Sequence, residues 1–83
     1  MFEIVKKAID DFNLYGLLPE APNDEFDIES KKIARQINAK STVNEIAEII
    51  ANVFSKAFNK SFDTKKFLVP AEKIYNAIKN NGN

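Results

Sequence analysis

Cysteine and histidine are both absent from this 83-residue chain, and each absence removes a class of chemistry. Without cysteine there is no disulfide, and no thiolate that acts as a nucleophile or as a metal ligand. Without histidine the chain lacks the commonest general base and the commonest zinc ligand. Catalysis by a Ser-His or Cys-His pair is therefore excluded, and we expect a protein that is not an enzyme and holds no metal or other cofactor.

Glycine and proline, which favour turns, are scarce as well, with two and three residues, and tryptophan is absent. Helix-forming residues dominate, and this combination disfavours a fold rich in sheet. No apolar run approaches the roughly 18 residues that a membrane-spanning helix needs. The sequence predicts one all-α domain over residues 1–83 with no membrane segment, and the lack of cysteine fits the cytoplasm. Abundant Asn, Lys, Ile and Phe, whose codons are AT-rich, favour a bacterial genome.

Apolar residues recur at helical spacing in four segments, which predicts helices at about 2–13, 24–38, 42–59 and 63–80. Short connections between them predict a four-helix assembly in which sequential helices are neighbours. The third predicted helix carries the broadest apolar stripe, and we expect it to be central. Its most buried positions should include Ile50 and Phe54.

Local signals mark some of the helix ends. Thr42 and Glu45 match the capping-box pattern, in which the side chain of each satisfies a free backbone amide at a helix start. Asp63 or Ser61 should cap the last helix. Pro70 lies inside this last stretch, where its ring removes a hydrogen bond. Either the helix kinks at Pro70, or a short turn precedes a helix that begins near it.

Charge is divided unevenly along a chain whose formal net charge is zero. Residues 1–30 carry eight acidic side chains against two lysines, a net charge of −6. Residues 31–83 carry four acidic side chains against ten basic ones, a net charge of +6. The two parts either complement each other within the fold, or the acidic part attracts a basic partner.

Five of the acidic side chains lie within residues 20–29, which we call the acidic segment. It lacks the glycine and the alternating ligands of an EF-hand calcium loop. Its structural role would be to cap the second helix and complement the helix dipole. Its functional role would be to recognise a partner, with neighbouring apolar side chains as further contacts. The candidate partner-binding residues are Tyr15, Leu17, Glu20, Asp24, Glu25, Asp27 and Glu29.

Basic side chains in the second part of the chain are dispersed over three predicted helices. Nucleic-acid binding usually needs a contiguous basic face and a high isoelectric point. This chain has an isoelectric point near 6.2 and one arginine. Nucleic acid is therefore the weaker expectation, in the form of an accessory protein that uses the lysines of helices two to four.

Two motifs and a third, shorter stretch resemble those of a family of small bacterial helical proteins of unknown function. The stretches Phe12-Asn-Leu-Tyr-Gly-Leu-Leu18 and Ala21-Pro-Asn-Asp-Glu-Phe-Asp27 are similar to that family's Trp-Asp-Pro-x-Gly-Leu and Ala-Pro-x-Asp-Glu-Tyr-Asp. The later Ala71-Glu-Lys-Ile-Tyr75 is similar to its Ala-x-Lys-Ile-Trp. Here Phe12 replaces the family's Trp, and Asn13-Leu14 replaces its Asp-Pro. The resemblance implies a compact helical fold and no established activity. Such families look similar to small immunity proteins, which bind a toxin, and this is an analogy only.

The function predicted from the sequence is a non-enzymatic protein-binding module. It would be of the immunity or antitoxin type and would bind a basic partner, such as a basic toxin, through the acidic segment. The sequence leaves the partner's identity and the oligomeric state open.

Overall fold

The computed structural model describes residues 2–12 and 27–81. Within these ranges the chain forms four α-helices and one short 3-10 helix, with no strand. In chain order they are α1 (Phe2–Phe12), α2 (Asp27–Gln36), α3 (Val43–Phe58), the 3-10 helix (Thr64–Phe67) and α4 (Leu68–Asn81). The predicted all-α, four-helix architecture is confirmed. The predicted beginning of the second helix at residue 24 lies outside the described residues.

The helices pack in chain order, α1 on α2, α2 on α3 and α3 on α4, and α4 closes the ring by packing on α1. α3 also packs on the 3-10 helix, so it contacts three other elements. Its buried side chains form one strip along the helix: Ile46, Ala47, Ile50, Ala51, Val53 and Phe54. The expectation that the third helix is central agrees with these contacts.

Aromatic rings form the part of the core around Phe67. This side chain is fully buried, and its ring stacks on that of Phe54 with the centroids 6.0 Å apart. Phe62 meets the Phe67 ring edge-on at 5.7 Å, and Phe12 of α1 approaches it at 5.9 Å. Phe54 is buried as the sequence predicts, and Phe67 is buried with it, whereas Phe12 and Phe58 are partly buried.

Both ends of α3 are fixed by local hydrogen bonds. At its start the Thr42 hydroxyl accepts from the Glu45 amide at 3.1 Å, and the Glu45 carboxylate accepts from the Thr42 amide at 2.8 Å. The predicted capping box is therefore present. At its end Asn59 adopts the left-handed conformation, with φ 51°, and its amide donates to the carbonyl of Ser55. The Ser55 hydroxyl accepts from the Phe62 amide at 3.1 Å, which ties the following connection back to α3.

α2 ends at Gln36, two residues before the predicted position. The reason lies in the side chain of Asn38, whose Oδ1 accepts from the Lys40 amide at 2.8 Å. The Asn38 amide in turn donates to the Ser41 hydroxyl at 3.1 Å. Such short-range bonds compete with helical ones, and they turn the chain toward α3.

The second of the two alternatives at Pro70 is the one observed. Asp63 caps the 3-10 helix, because its Oδ1 accepts from the Lys65 amide at 3.0 Å. α4 follows directly, and Pro70 is its third residue. Backbone amides in the first turn of a helix have no intrahelical acceptor, so a proline there removes no hydrogen bond.

Candidate functional site

The structure describes only the end of the acidic segment. Tyr15, Leu17, Glu20, Asp24 and Glu25 all lie outside the described residues. Asp27 is the first residue of α2, and its side chain is likewise outside them. Glu29 is the one predicted partner-binding residue whose side chain can be placed. The candidate site is therefore argued from Glu29 and its neighbours at the start of α2.

Glu29 and Ser30 each keep a buried oxygen without a hydrogen-bond partner among the described residues. The Glu29 side chain is partly buried, with Oε1 shielded from solvent, whereas Ser30 is wholly buried. Leaving a buried acceptor unpaired costs about 1–3 kcal/mol, so such groups are uncommon in folded proteins. The first turns of α2 thus combine the acidic Glu29 with two buried oxygens that no described residue satisfies.

Ile28 comes directly before Glu29 in α2 and points away from the core, with 61% of its surface exposed. The buried stripe of α2 contains Ser30, Ile33 and Ile37. At 3.6 residues per turn, Ile28 lies about 140–200° round the helix from that stripe. Sequence analysis did not select Ile28, although its position outside the apolar stripe was the signal that identifies it. An exposed isoleucine beside Glu29 adds an apolar contact point to the acidic segment.

A second feature is a groove of about 360 Å³ between α2 and α3, which we call the basic groove. Its lining includes two amides, one aliphatic side chain and three cations: Lys32, Arg35, Gln36, Asn52, Val53 and Lys56. No described residue that lines it is acidic. Val53 is nearly buried at 7% exposure and forms the apolar floor. These basic residues are dispersed in the sequence, but the pairing of α2 with α3 brings three of them together.

The three cations of the basic groove make no ion pair with any carboxylate in the described ranges. Other basic side chains are engaged: Lys6 pairs with Asp10 at 3.4 Å, and Lys31 lies 5.8 Å from the centre of the Phe2 ring. Within the groove the Gln36 amide nitrogen donates to the Lys32 carbonyl at 3.3 Å. The groove therefore carries positive charge that no carboxylate in the described ranges neutralises.

A smaller groove of about 230 Å³ lies between α1 and α4. Ile4, Ala8 and Ala77 give it an apolar surface, and charged side chains stand beside them. Its volume is below the roughly 300–1,000 Å³ typical of small-molecule sites. We assign it no function.

Neither a metal site nor a membrane-spanning helix is evident in the part of the chain that the structure describes. Residues 2–12 and 27–81 contain no group of three or more acidic side chains placed to hold a metal ion. In the same ranges, no helix is both long enough and apolar enough to cross a bilayer. Glu45, one of the exposed acidic residues, is already used by the capping box of α3.

Comparisons with protein-family models, with curated proteins and with solved structures found no match to this chain. The family resemblance carried by the two sequence motifs therefore stays a prediction.

Proposed function

We propose that this protein is a non-enzymatic protein-binding module that binds a partner with a basic contact face. Its contact surface would comprise the acidic segment and the adjoining start of α2. The observation that carries this proposal is the exposed Ile28 side chain next to the acidic Glu29. Among the described residues, Ile28 and Val69 are the large hydrophobic side chains left exposed.

An exposed apolar side chain next to a carboxylate suits a protein interface for two reasons. Burying an exposed isoleucine contributes about 1.5–3 kcal/mol, because apolar surface leaves water. The acidic charges of the segment would attract a basic surface over a distance of about 8–10 Å at physiological ionic strength and raise the association rate. The same charges repel acidic proteins, so the acidic segment would favour basic partners over acidic ones.

Among protein-binding modules, a bacterial, cytoplasmic immunity or antitoxin protein fits this arrangement best. Such a protein acts by covering the working surface of a basic toxin, and it needs no catalytic group of its own. The lack of histidine and cysteine is consistent with this role. The analogy with immunity proteins rests on the family resemblance of the sequence motifs. It does not rest on any binding residue of this chain.

A nucleic-acid-associated accessory protein is the second candidate, and the basic groove is the observation that favours it. Three cations fall short of the roughly 6–10 phosphate contacts of a typical duplex-binding protein. Lys65 and Lys66 belong to the 3-10 helix and do not line the groove. The basic groove by itself therefore carries too few cations for a duplex.

The test of the leading proposal uses a partner captured from the source cells and then purified. Association and dissociation rates are measured by surface plasmon resonance across a salt series. We expect the association rate to fall as salt rises. We expect Glu20→Gln combined with Glu29→Gln to slow association, and Ile28→Ser to speed dissociation, each with little change in melting temperature.

Two matched controls are available on the same chain. Glu48→Gln combined with Glu72→Gln removes two exposed acidic charges away from the segment. Val69→Ser changes an aliphatic side chain that is 59% exposed, close to the exposure of Ile28. Both controls should bind like the wild type. Binding that responds equally to the test and control variants, or to neither, would refute a contact through the acidic segment.

A further inference from the structure

We infer that the basic groove between α2 and α3 is a binding site for a small phosphate-bearing molecule. None of its lining residues belongs to the acidic segment, and the inference does not depend on the function proposed above. It lies at the C-terminal half of α2, whereas Ile28 and Glu29 lie in its first turn. The two proposals can therefore be tested independently of each other.

The charge of the groove favours a dianion over a singly charged ligand. Lys32, Arg35 and Lys56 give it a formal charge of +3, and its described lining holds no carboxylate to offset them. Lys32 and Arg35 are one turn apart on α2, while Lys56 faces them from α3. Cations on both walls can hold a phosphate from two sides. A carboxylate ligand has one charge and two oxygens, so it would engage fewer of these cations than a phosphate.

The groups themselves match the chemistry of phosphate. A guanidinium such as that of Arg35 donates two parallel hydrogen bonds to phosphate oxygens, and lysine ammonium groups act as point charges beside it. The Asn52 amide adds a neutral donor on the opposite wall. Val53 gives the groove an apolar floor, which suits a ligand that has an uncharged part next to its phosphate.

The size of the groove limits the ligand to a small molecule. About 360 Å³ lies near the lower end of the roughly 300–1,000 Å³ range of small-molecule sites. It is ample for a phosphate group with a sugar or a base attached. Nucleoside monophosphates are the class that combines this size, one dianionic group and a flat, weakly polar part.

The test is a titration of the isotopically labelled full chain with adenosine 5′-monophosphate, inorganic phosphate and adenosine, at constant ionic strength. We expect the side-chain amide signals of Gln36 and Asn52 to shift with the two phosphate-bearing probes. Adenosine should bind at least about tenfold more weakly than its monophosphate, because the charge-assisted hydrogen bonds are lost.

Arg35→Gln combined with Lys56→Gln should weaken binding of the monophosphate by about tenfold or more. Lys65→Gln combined with Lys66→Gln is the matched control, because it removes two exposed lysine charges outside the groove. The control variant should change affinity less than about twofold, which is what screened long-range attraction alone would give. Arg35 also lies in the last turn of α2, where a cation complements the helix dipole. Melting curves of both variants separate that structural contribution from binding.

Three results would overturn the inference. The first is the absence of any shift at Gln36 and Asn52 with millimolar phosphate or monophosphate. The second is an equal loss of affinity in the groove variant and in the control, which would show attraction by overall charge. The third is binding of a short oligodeoxythymidylate that depends on the groove while both small phosphate probes fail to bind, since the ligand would then be a nucleic acid.

Discussion

The ring of Phe67 stacks on the ring of Phe54, with 6.0 Å between their centroids and 11° between their planes. Phe54 belongs to α3 and Phe67 to the 3-10 helix, so this contact joins two elements that are connected by a short exposed stretch. Offset stacking of this kind contributes about 0.5–1.5 kcal/mol beyond the burial of apolar area. Because Phe62 and Phe12 also contact Phe67, one side chain links α1, α3 and the connection before α4.

Phe67→Ala should therefore lower the free energy of unfolding by about 3–5 kcal/mol, because it removes a fully buried ring and leaves a cavity. Small domains have only about 5–15 kcal/mol in total, so the loss is a large fraction of the stability. Urea unfolding followed by circular dichroism measures it. Val69→Ala, two residues later and 59% exposed, is the control and should change stability by about 0.5 kcal/mol or less.

If Phe67→Ala does not fold, Phe67→Leu provides the measurement, since it keeps much of the apolar volume and removes the stacking. Its free energy of unfolding should fall by less than that of Phe67→Ala, but clearly by more than that of Val69→Ala. Equal stabilities for Phe67→Leu and wild type would mean that the stacked rings do not contribute to the core.

The capping box at the start of α3 gives a second prediction. Thr42→Ala removes the hydroxyl that accepts from the Glu45 amide, and should cost about 1 kcal/mol of stability. Thr42→Ser keeps that acceptor and should stay within about 0.5 kcal/mol of the wild type. Thermal and urea unfolding of the three proteins should agree, and a serine variant as unstable as the alanine variant would argue against the cap.

Sequence reasoning was reliable where the controlling interaction is local. Thr42 and Glu45 are three residues apart, so their pairing at a helix start follows from spacing alone. The end of α2 was less predictable, because the hydrogen bonds of Asn38 with Lys40 and Ser41 replace helical bonds that the apolar pattern would allow. At Pro70 the sequence left two options, and the burial of Phe67 just before α4 fits the one observed.

Asn59 supports a third prediction, since it is the described non-glycine residue with a positive φ. Asn59→Gly should be neutral or slightly favourable, because glycine adopts this conformation without a steric penalty. Asn59→Ala should cost about 1–2 kcal/mol, because its Cβ approaches the following carbonyl oxygen. Comparison of the two variants by urea unfolding isolates the backbone effect, and equal stabilities would contradict the left-handed cap.

Metal binding gives a fourth prediction. A chain that lacks histidine and cysteine offers zinc only oxygen ligands, and residues 2–12 and 27–81 bring no three acidic side chains together. Calorimetric titration with zinc should therefore detect no binding at micromolar affinity. Stoichiometric zinc in the mildly purified protein, measured by atomic emission, would contradict this expectation.

The candidate sites were less accessible to sequence reasoning than the fold. Lys56 follows Arg35 by 21 residues, so only the packing of α3 on α2 places both in one groove. Ile28 shows the reverse case, because its position outside the apolar stripe of α2 is visible in the sequence. The candidate site was predicted from its acidic residues, and a single exposed aliphatic side chain among them was therefore not selected.

The closure of the helical ring by α1 and α4 has a consequence for biosynthesis. α1 is synthesised before α4, a helix on which it packs and which begins at Leu68. At about 5–20 residues per second, several seconds pass between the synthesis of Phe12 and that of Leu68. Throughout that interval the face of α1 that carries Ile4 and Ala8 lacks the helix that covers it in the finished protein. Until α4 is made, a nascent chain of this design leaves part of the apolar face of α1 without its final partner.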